Sequence, residues 1–225
     1  AGYGRDGEQL GVRVAEVADP ELLQKGRETF KWFRQKGMST YGLTEQAFAS
    51  CDAIKRAWRA AHPGTVGLWG TLEQSFRDAI DNTGYVFQAG LASVVRPTFK
   101  SGKPMPWATI IMPSGRRLCY PAPKIEKDGQ ISYQGVDQYS RKWTTLRTYS
   151  GKLVENLTQA VARDVIAHNL PAVQAAGYDV LLTVHDEDIT EAPDTDAYSG
   201  DALAEIMARV PPWATGLPLA AAGFD

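Results

Sequence analysis

Three carboxylates in a row follow a histidine at His185-Asp186-Glu187-Asp188. Carboxylates held on rigid backbone at a strand end are suited to gripping a divalent metal against a phosphate. The same four residues also read as an ordinary acidic turn, with His185 as a packed turn histidine. Their flanks favour a hairpin. The apolar run Val180-Leu181-Leu182-Thr183-Val184 drives into the acids, and Ile189-Thr190 continues beyond them. Such β-branched runs bounded by polar clusters predict two strands over about 178–193, with the acids at their tip.

The elements ahead of this hairpin must position it. Residues from Lys152 to about Gln174 predict a helix with an apolar stripe of Leu153, Leu157, Val161, Val165 and Ile166. Glu155, Asn156, Gln159 and Arg163 fall on the opposite face, and Pro171 is expected to break or kink the helix. Between Tyr85 and Tyr149 the pattern is that of strands and turns. Trp107–Met112, Leu118–Tyr120 and Ile131–Gln134 read as strands, with turns at Pro113-Ser114-Gly115 and Lys127-Asp128-Gly129. Three helices are predicted earlier. The first is capped by Asp19 with Pro20 behind it and stops at Gly37; the second starts near Thr44; the third covers about Pro63–Asp81. Phe48, Cys51, Ile54, Lys55 and Trp58 lie at helical spacing in the second. Val66, Trp69, Leu72, Phe76 and Ile80 form the stripe of the third, and the aromatics read as core packing. A last helix covers about Ser199–Arg209.

Charge is distributed unevenly. Residues 1–95 balance at 11 basic and 11 acidic side chains, residues 96–152 hold 11 basic and 3 acidic, and residues 153–225 hold 2 basic and 12 acidic. A basic block beside an acidic one suggests a polyanion-facing surface next to a metal-holding one, or else a solvated hairpin face. Arg116, Arg117, Lys124, Arg141, Lys142, Arg147 and Lys152 are its candidates for phosphate contacts, which give affinity without sequence readout. The 225 residues, 44% of them apolar, suffice for a real core and exclude wholesale disorder. Neither a membrane span nor a signal peptide is legible. Cys51 and Cys119 read as reduced thiols of a cytoplasmic protein.

Taken in order, these segments resemble the carboxy-terminal half of a family A (DNA polymerase I-like) DNA polymerase, in its bacteriophage branch. Val184-His185-Asp186-Glu187 resembles the third catalytic motif, the palm hairpin, and Tyr149–Ala160 the primer–template helix before it. Met112–Leu118 with Tyr120-Pro121, and Gly135-Val136-Asp137-Gln138-Tyr139, are similar to strand and loop segments of that branch. Trp58-Arg59-Ala60-Ala61-His62-Pro63 resembles a segment after the finger helix, and Ala1-Gly2-Tyr3-Gly4 the end of the second motif.

The resemblance implies an α+β fold. A mainly helical fingers-derived region would cover 1–95, and a palm-derived region with a small antiparallel sheet and the catalytic hairpin 96–225. It implies transfer of a nucleotide from a dNTP to a primer 3′-hydroxyl with two Mg2+ ions. Asp186 would be the ligand shared by both ions, Glu187 a ligand directly or through water, and Asp188 a flanking charge. Adjacent strand residues face opposite ways, so Asp186 and Glu187 are not expected to bind alike. His185 would contact the primer end, and Tyr3 the nucleotide. Gln159 would read the minor groove, where acceptors occur at every base pair. Arg163 is a duplex contact or a surface charge. Where cellular members carry an asparagine one turn before the glutamine, this chain has Glu155. Asn156 is the residue that carries over in its place. The first motif and most of the second are absent from the sequence. The expectation is therefore a chain with half an active site, as a split gene or processed precursor would give. It would need an amino-terminal polymerase fragment as partner, alongside primer–template DNA and dNTP, in the cytoplasm of a bacterial host if phage-encoded. The alternative is a non-catalytic DNA-binding module of polymerase-like shape.

Overall fold

The computed structural model describes residues 19–195 and 197–224. The chain divides into two compact units, Ala1–Gly67 and Leu68–Asp225.

In the smaller unit, α1 (Pro20–Gln35) begins at Asp19, whose side chain accepts from the Glu21 N–H at 2.8 Å. Helix α2 (Glu45–Ala61) is capped by Thr44. Both starts follow from local chemistry, since a short polar side chain satisfies amides that the first turn leaves open. The helices cross closely. Gly26 of α1 lies against the backbone of Ala49, and Phe30 and Phe33 set their rings edge-on to Phe48 at 5.4 Å. This crossing turns α2 away from the face expected of it. Ala47, Phe48, Ala49 and Ala53 are buried, while Cys51, Ile54 and Trp58 are exposed. Small residues face α1 because larger ones would hold the two backbones apart.

The larger unit starts within α3 (Pro63–Asp81). Four strands follow, β1 (Val86–Ala89), β2 (Ala92–Val95), β3 (Trp107–Ile111) and β4 (Arg117–Pro121), in one antiparallel sheet of sequential order. A second antiparallel sheet holds β5 (Lys124–Ile125), β6 (Ile131–Val136) and β7 (Trp143–Thr148). Then come α4 (Ser150–Ala175), the hairpin β8 (Asp179–Val184) and β9 (Glu187–Glu191), α5 (Gly200–Met207) and a 3-10 turn at Pro212–Ala214. Helices and small antiparallel sheets are thus mixed, as expected. The sequence does not single out the first hairpin, and of the break or kink expected at Pro171 the break does not occur. The β1–β2 hairpin turns at Gly90-Leu91, with Gly90 at φ 63°, as a two-residue primed turn requires. Helix α4 continues through Pro171.

The main core joins Leu72, Phe76 and Ala79 of α3 to Val94, Ala108, Ile110 and Tyr120 of the first sheet, Ile131 of the second, and Leu153, Val154 and Leu157 of α4. A smaller cluster of Val173, Tyr178 and Ile206 fastens the end of α4 to the hairpin base and α5. The Tyr178 hydroxyl donates to the Ser199 carbonyl at 3.1 Å and accepts from its N–H at 3.2 Å. Beyond α5 the chain returns, and Gly223 lies backbone to backbone against Gly200, so closely that a β-carbon on either would collide with the other. No helix among the described residues is long and apolar enough to cross a membrane.

The α1–α2 crossing yields an unusual expectation. Alanine normally stabilises a helix interior over glycine by about 1 kcal/mol. A β-carbon at Gly26 would stand 2.7 Å from Ala49 backbone atoms. Gly26→Ala is therefore expected to destabilise the α1–α2 pair by about 1–3 kcal/mol, read as faster amide exchange in α1 and α2.

Candidate active site and nucleic-acid groove

Strands β8 and β9 pair from Asp179↔Glu191 to Val184↔Glu187, leaving His185-Asp186 as a two-residue turn. His185 takes φ 55° there. A primed hairpin turn demands this at its first position, and among non-glycine residues histidine is one of the more tolerant. The turn therefore holds Asp186 at the apex, and His185, Asp186 and Glu187 are all exposed. Register separates the next two acids. Glu187 pairs with Val184, and Asp188 with Thr183, so the two point to opposite faces. Leu182 and Ile189 share the Glu187 face and are exposed.

Asp188 is half-buried, and its Oδ1 has no hydrogen-bond partner among the described residues. Burial pushes its carboxyl above the usual range, and the Arg163 charge acts the other way. Asp186, Glu187 and Asp188 line a groove of about 690 Å³ together with Val165 and Ile166 of α4, Leu203 and Met207 of α5, and the returning segment Leu217–Phe224. Val165 and Ile166, expected in the core, face this groove. As hard oxygen donors at a rigid apex, Asp186 and Glu187 fit magnesium, which commonly takes one or two carboxylates from a protein. Among the described residues, no three His, Cys, Asp or Glu side chains come together as a metal cluster.

Helix α4 carries the second half of the arrangement. Asn156, Gln159, Ala160 and Arg163 recur at helical spacing and line a shallow groove of about 450 Å³, faced by Arg116, Cys119, Tyr120 and Tyr133. Four predicted residues from two segments are thus gathered in one place. Tyr120 and Tyr133 read in the sequence as strand residues and not as part of the site, because their rings meet each other at 5.0 Å only through tertiary packing. Asn156 donates to the Tyr120 hydroxyl at 3.2 Å. Burial pushes the Tyr120 phenol up to about 12, with the Asn156 bond opposing. Arg163 belongs to this groove and also acts on Asp188, so it links the two features.

The basic residues divide by what holds them. Arg116 donates from Nε to Asp164 at 2.5 Å and from Nη2 to the Ala160 carbonyl at 2.9 Å, while Ser114 also bonds Asp164. Arg147 bonds Asp128 and Gln130, and Lys124 bonds Glu126. Arg117, Arg141, Lys142 and Lys152 are exposed and make no ion pair among the described residues. Tyr3 lies outside the described residues.

Three polar anchors hold α4. Tyr149 at its start offers no capping side chain, and the Ser150 N–H instead donates to Glu73 Oε2 at 2.8 Å. Asp164 takes the Ser114 and Arg116 bonds. Asn169 donates to the carbonyls of Met207 and Arg209 at 2.9 Å, tying the helix to the end of α5.

Burial pushes the Glu73 carboxyl up, but the hydrogen bonds from Arg77 and Ser150 outweigh it and hold the carboxyl below its ordinary value of 4.5. A group depressed on folding stabilises the fold fully above its unfolded value, and that contribution is lost as pH falls through the folded one. Glu73→Gln is accordingly expected to cost about 1 kcal/mol at neutral pH, with the difference from the native chain closing below pH 4.5. Urea unfolding across that range measures it. Arg116→Ala should lower stability by about 1–2 kcal/mol, its side chain being about half exposed, whereas Arg117→Ala should leave the melting temperature unchanged.

Comparison with known proteins adds a relative to this geometry. Over 196 residues, 84% of the chain, the sequence is 36% identical to a DNA polymerase of Bacillus phage SP02. The matched stretch makes up 28% of that polymerase, so the chain spans less than a third of its relative's length. No protein-family profile matches the chain. No solved structure matches it.

Proposed function

We propose that this chain is the carboxy-terminal portion of a template-directed DNA polymerase of family A, in its bacteriophage branch. The observation that carries the reading is the 36% identity to a phage DNA polymerase across 84% of the chain. The exposed acids at a rigid apex and the polar groove on α4 support it. In this reading residues 1–95 derive from the fingers and 96–225 from the palm. Its substrates are primer–template DNA and a dNTP, and it acts in the cytoplasm of the bacterial host.

Asp186 and Glu187 would hold magnesium through hard oxygens, with phosphate and water filling the remaining positions. The metal, when bound, stabilises the entering and leaving oxygens of nucleotidyl transfer. The chain's own residues orient the nucleic acid. Gln159 donates to minor-groove acceptors, a contact every base pair offers. Arg163 adds positive charge between that groove and the acids, and Asn156 is held by Tyr120. Arg117, Arg141, Lys142 and Lys152 contact phosphates. His185, at the apex, meets the primer end. A further carboxylate comes from an amino-terminal polymerase fragment.

The α4 groove and the exposed cations would serve equally a second reading, a DNA-binding module without catalysis. Primer extension by the chain mixed with the amino-terminal part of such a polymerase separates the two. Asp186→Ala is expected to slow incorporation on the order of a thousand-fold while leaving primer–template affinity within about two-fold. An inert mixture whose DNA binding ignores both magnesium and Asp186 would establish the module instead.

A further inference from the structure

The β6–β7 hairpin ends in a tip whose two cations the polymerase reading uses for phosphate contacts and whose exposed aromatic rings it leaves without a role. Its last pair is Val136↔Trp143, both exposed. Between them runs Asp137-Gln138-Tyr139-Ser140-Arg141-Lys142, and Tyr139 is 89% exposed. The tip is nonetheless well tied. The Asp137 carboxylate accepts from the N–H groups of Ser140 at 2.7 Å and Tyr139 at 3.2 Å. The Asp137 N–H donates to the Lys142 carbonyl at 2.9 Å, and the Arg141 N–H to the Asp137 carbonyl at 2.8 Å. Two large aromatic rings are therefore presented to solvent on fixed backbone.

The two halves of this sheet differ in charge pairing. Toward its base, Lys124 is paired with Glu126 and Arg147 with Asp128. At the tip, Arg141 and Lys142 have no acidic partner among the described residues. Unneutralised cations flanked by two exposed aromatic rings match a ligand with phosphates and unpaired bases. A duplex offers the charges but keeps its base faces stacked, whereas a single strand offers both.

We propose that the β6–β7 tip is a binding site for single-stranded nucleic acid. Bases stack on Trp143 and Tyr139, and phosphates lie against Arg141 and Lys142. The site does not depend on nucleotide transfer, so its fate is separate from that of the polymerase reading.

The test is fluorescence anisotropy of a labelled oligothymidylate with the 225-residue chain, without nucleotide or metal, beside a blunt duplex of equal length. Trp143→Ala and Tyr139→Ala should each weaken single-strand binding about five-fold or more, since stacking on one ring contributes at least a factor of that order. Trp143→Phe, which keeps a ring, should restore most of it, and duplex affinity should hardly change. Arg141→Ala and Lys142→Ala should each reduce the salt dependence of single-strand binding by about 0.7 in log–log slope. Thermal unfolding matched to the native chain confirms that the exposed substitutions leave the fold intact. Native-like binding by both alanine variants of the rings would overturn the proposal. So would equal losses on duplex and single strand, which would mark a purely electrostatic surface.

Discussion

Helix α4 begins at Ser150 without a capping side chain of its own, and Glu73 of α3 takes its first amide. At about 1.5 Å per residue, a helix of this length reaches across a small domain, and each terminal amide left open would fray it. One carboxylate, itself steadied by Arg77, therefore fixes where α4 starts. The register of every side chain on α4 follows from that point, including the spacing that brings Asn156, Gln159 and Arg163 into one groove. The Asp164 and Asn169 bonds repeat the fastening farther along. The polar groups that a reader would scan for binding are thus supported by polar groups that bind only the protein.

That distinction explains what could be read in advance. Helix starts at Asp19, Thr44 and Ser199 were legible because capping is a matter of three or four neighbouring residues. The polar face of α4 was legible from its period. The buried face of α2 was not, since Gly26 sets it from another helix. The β1–β2 hairpin hid because its strands are only four residues long, although Gly90 marked its turn. Pro171 leaves the Ala167 carbonyl without its usual donor, yet buried Asn169 and Val173 on either side hold the helix through it. Within the site, the acids at the hairpin tip were plain. The engagement of Arg116 by Asp164 was not, because 48 residues separate them.

The acidic hairpin is itself unusual. Two strands alone are marginal in water, and this pair exposes Leu182, Val184 and Ile189 on one face. Its order comes from its base, where Tyr178 is locked to Ser199, and from the half-buried face bearing Thr183 and Asp188. The apex is carried outward on this support, with His185 in a backbone region where glycine would fit with less strain. Keeping a side chain there costs some stability.

The backbone contact between Gly200 and Gly223 has a consequence for how this chain can drift. Because a β-carbon on either residue would strike the other, neither position can accept even a methyl group while the returning segment stays in place. Both glycines must persist, or both constraints lapse at once when the segment lifts away. In divergent descendants the two sites should therefore behave as one inherited character, preserved as a pair wherever the groove beside the acids keeps its outer wall.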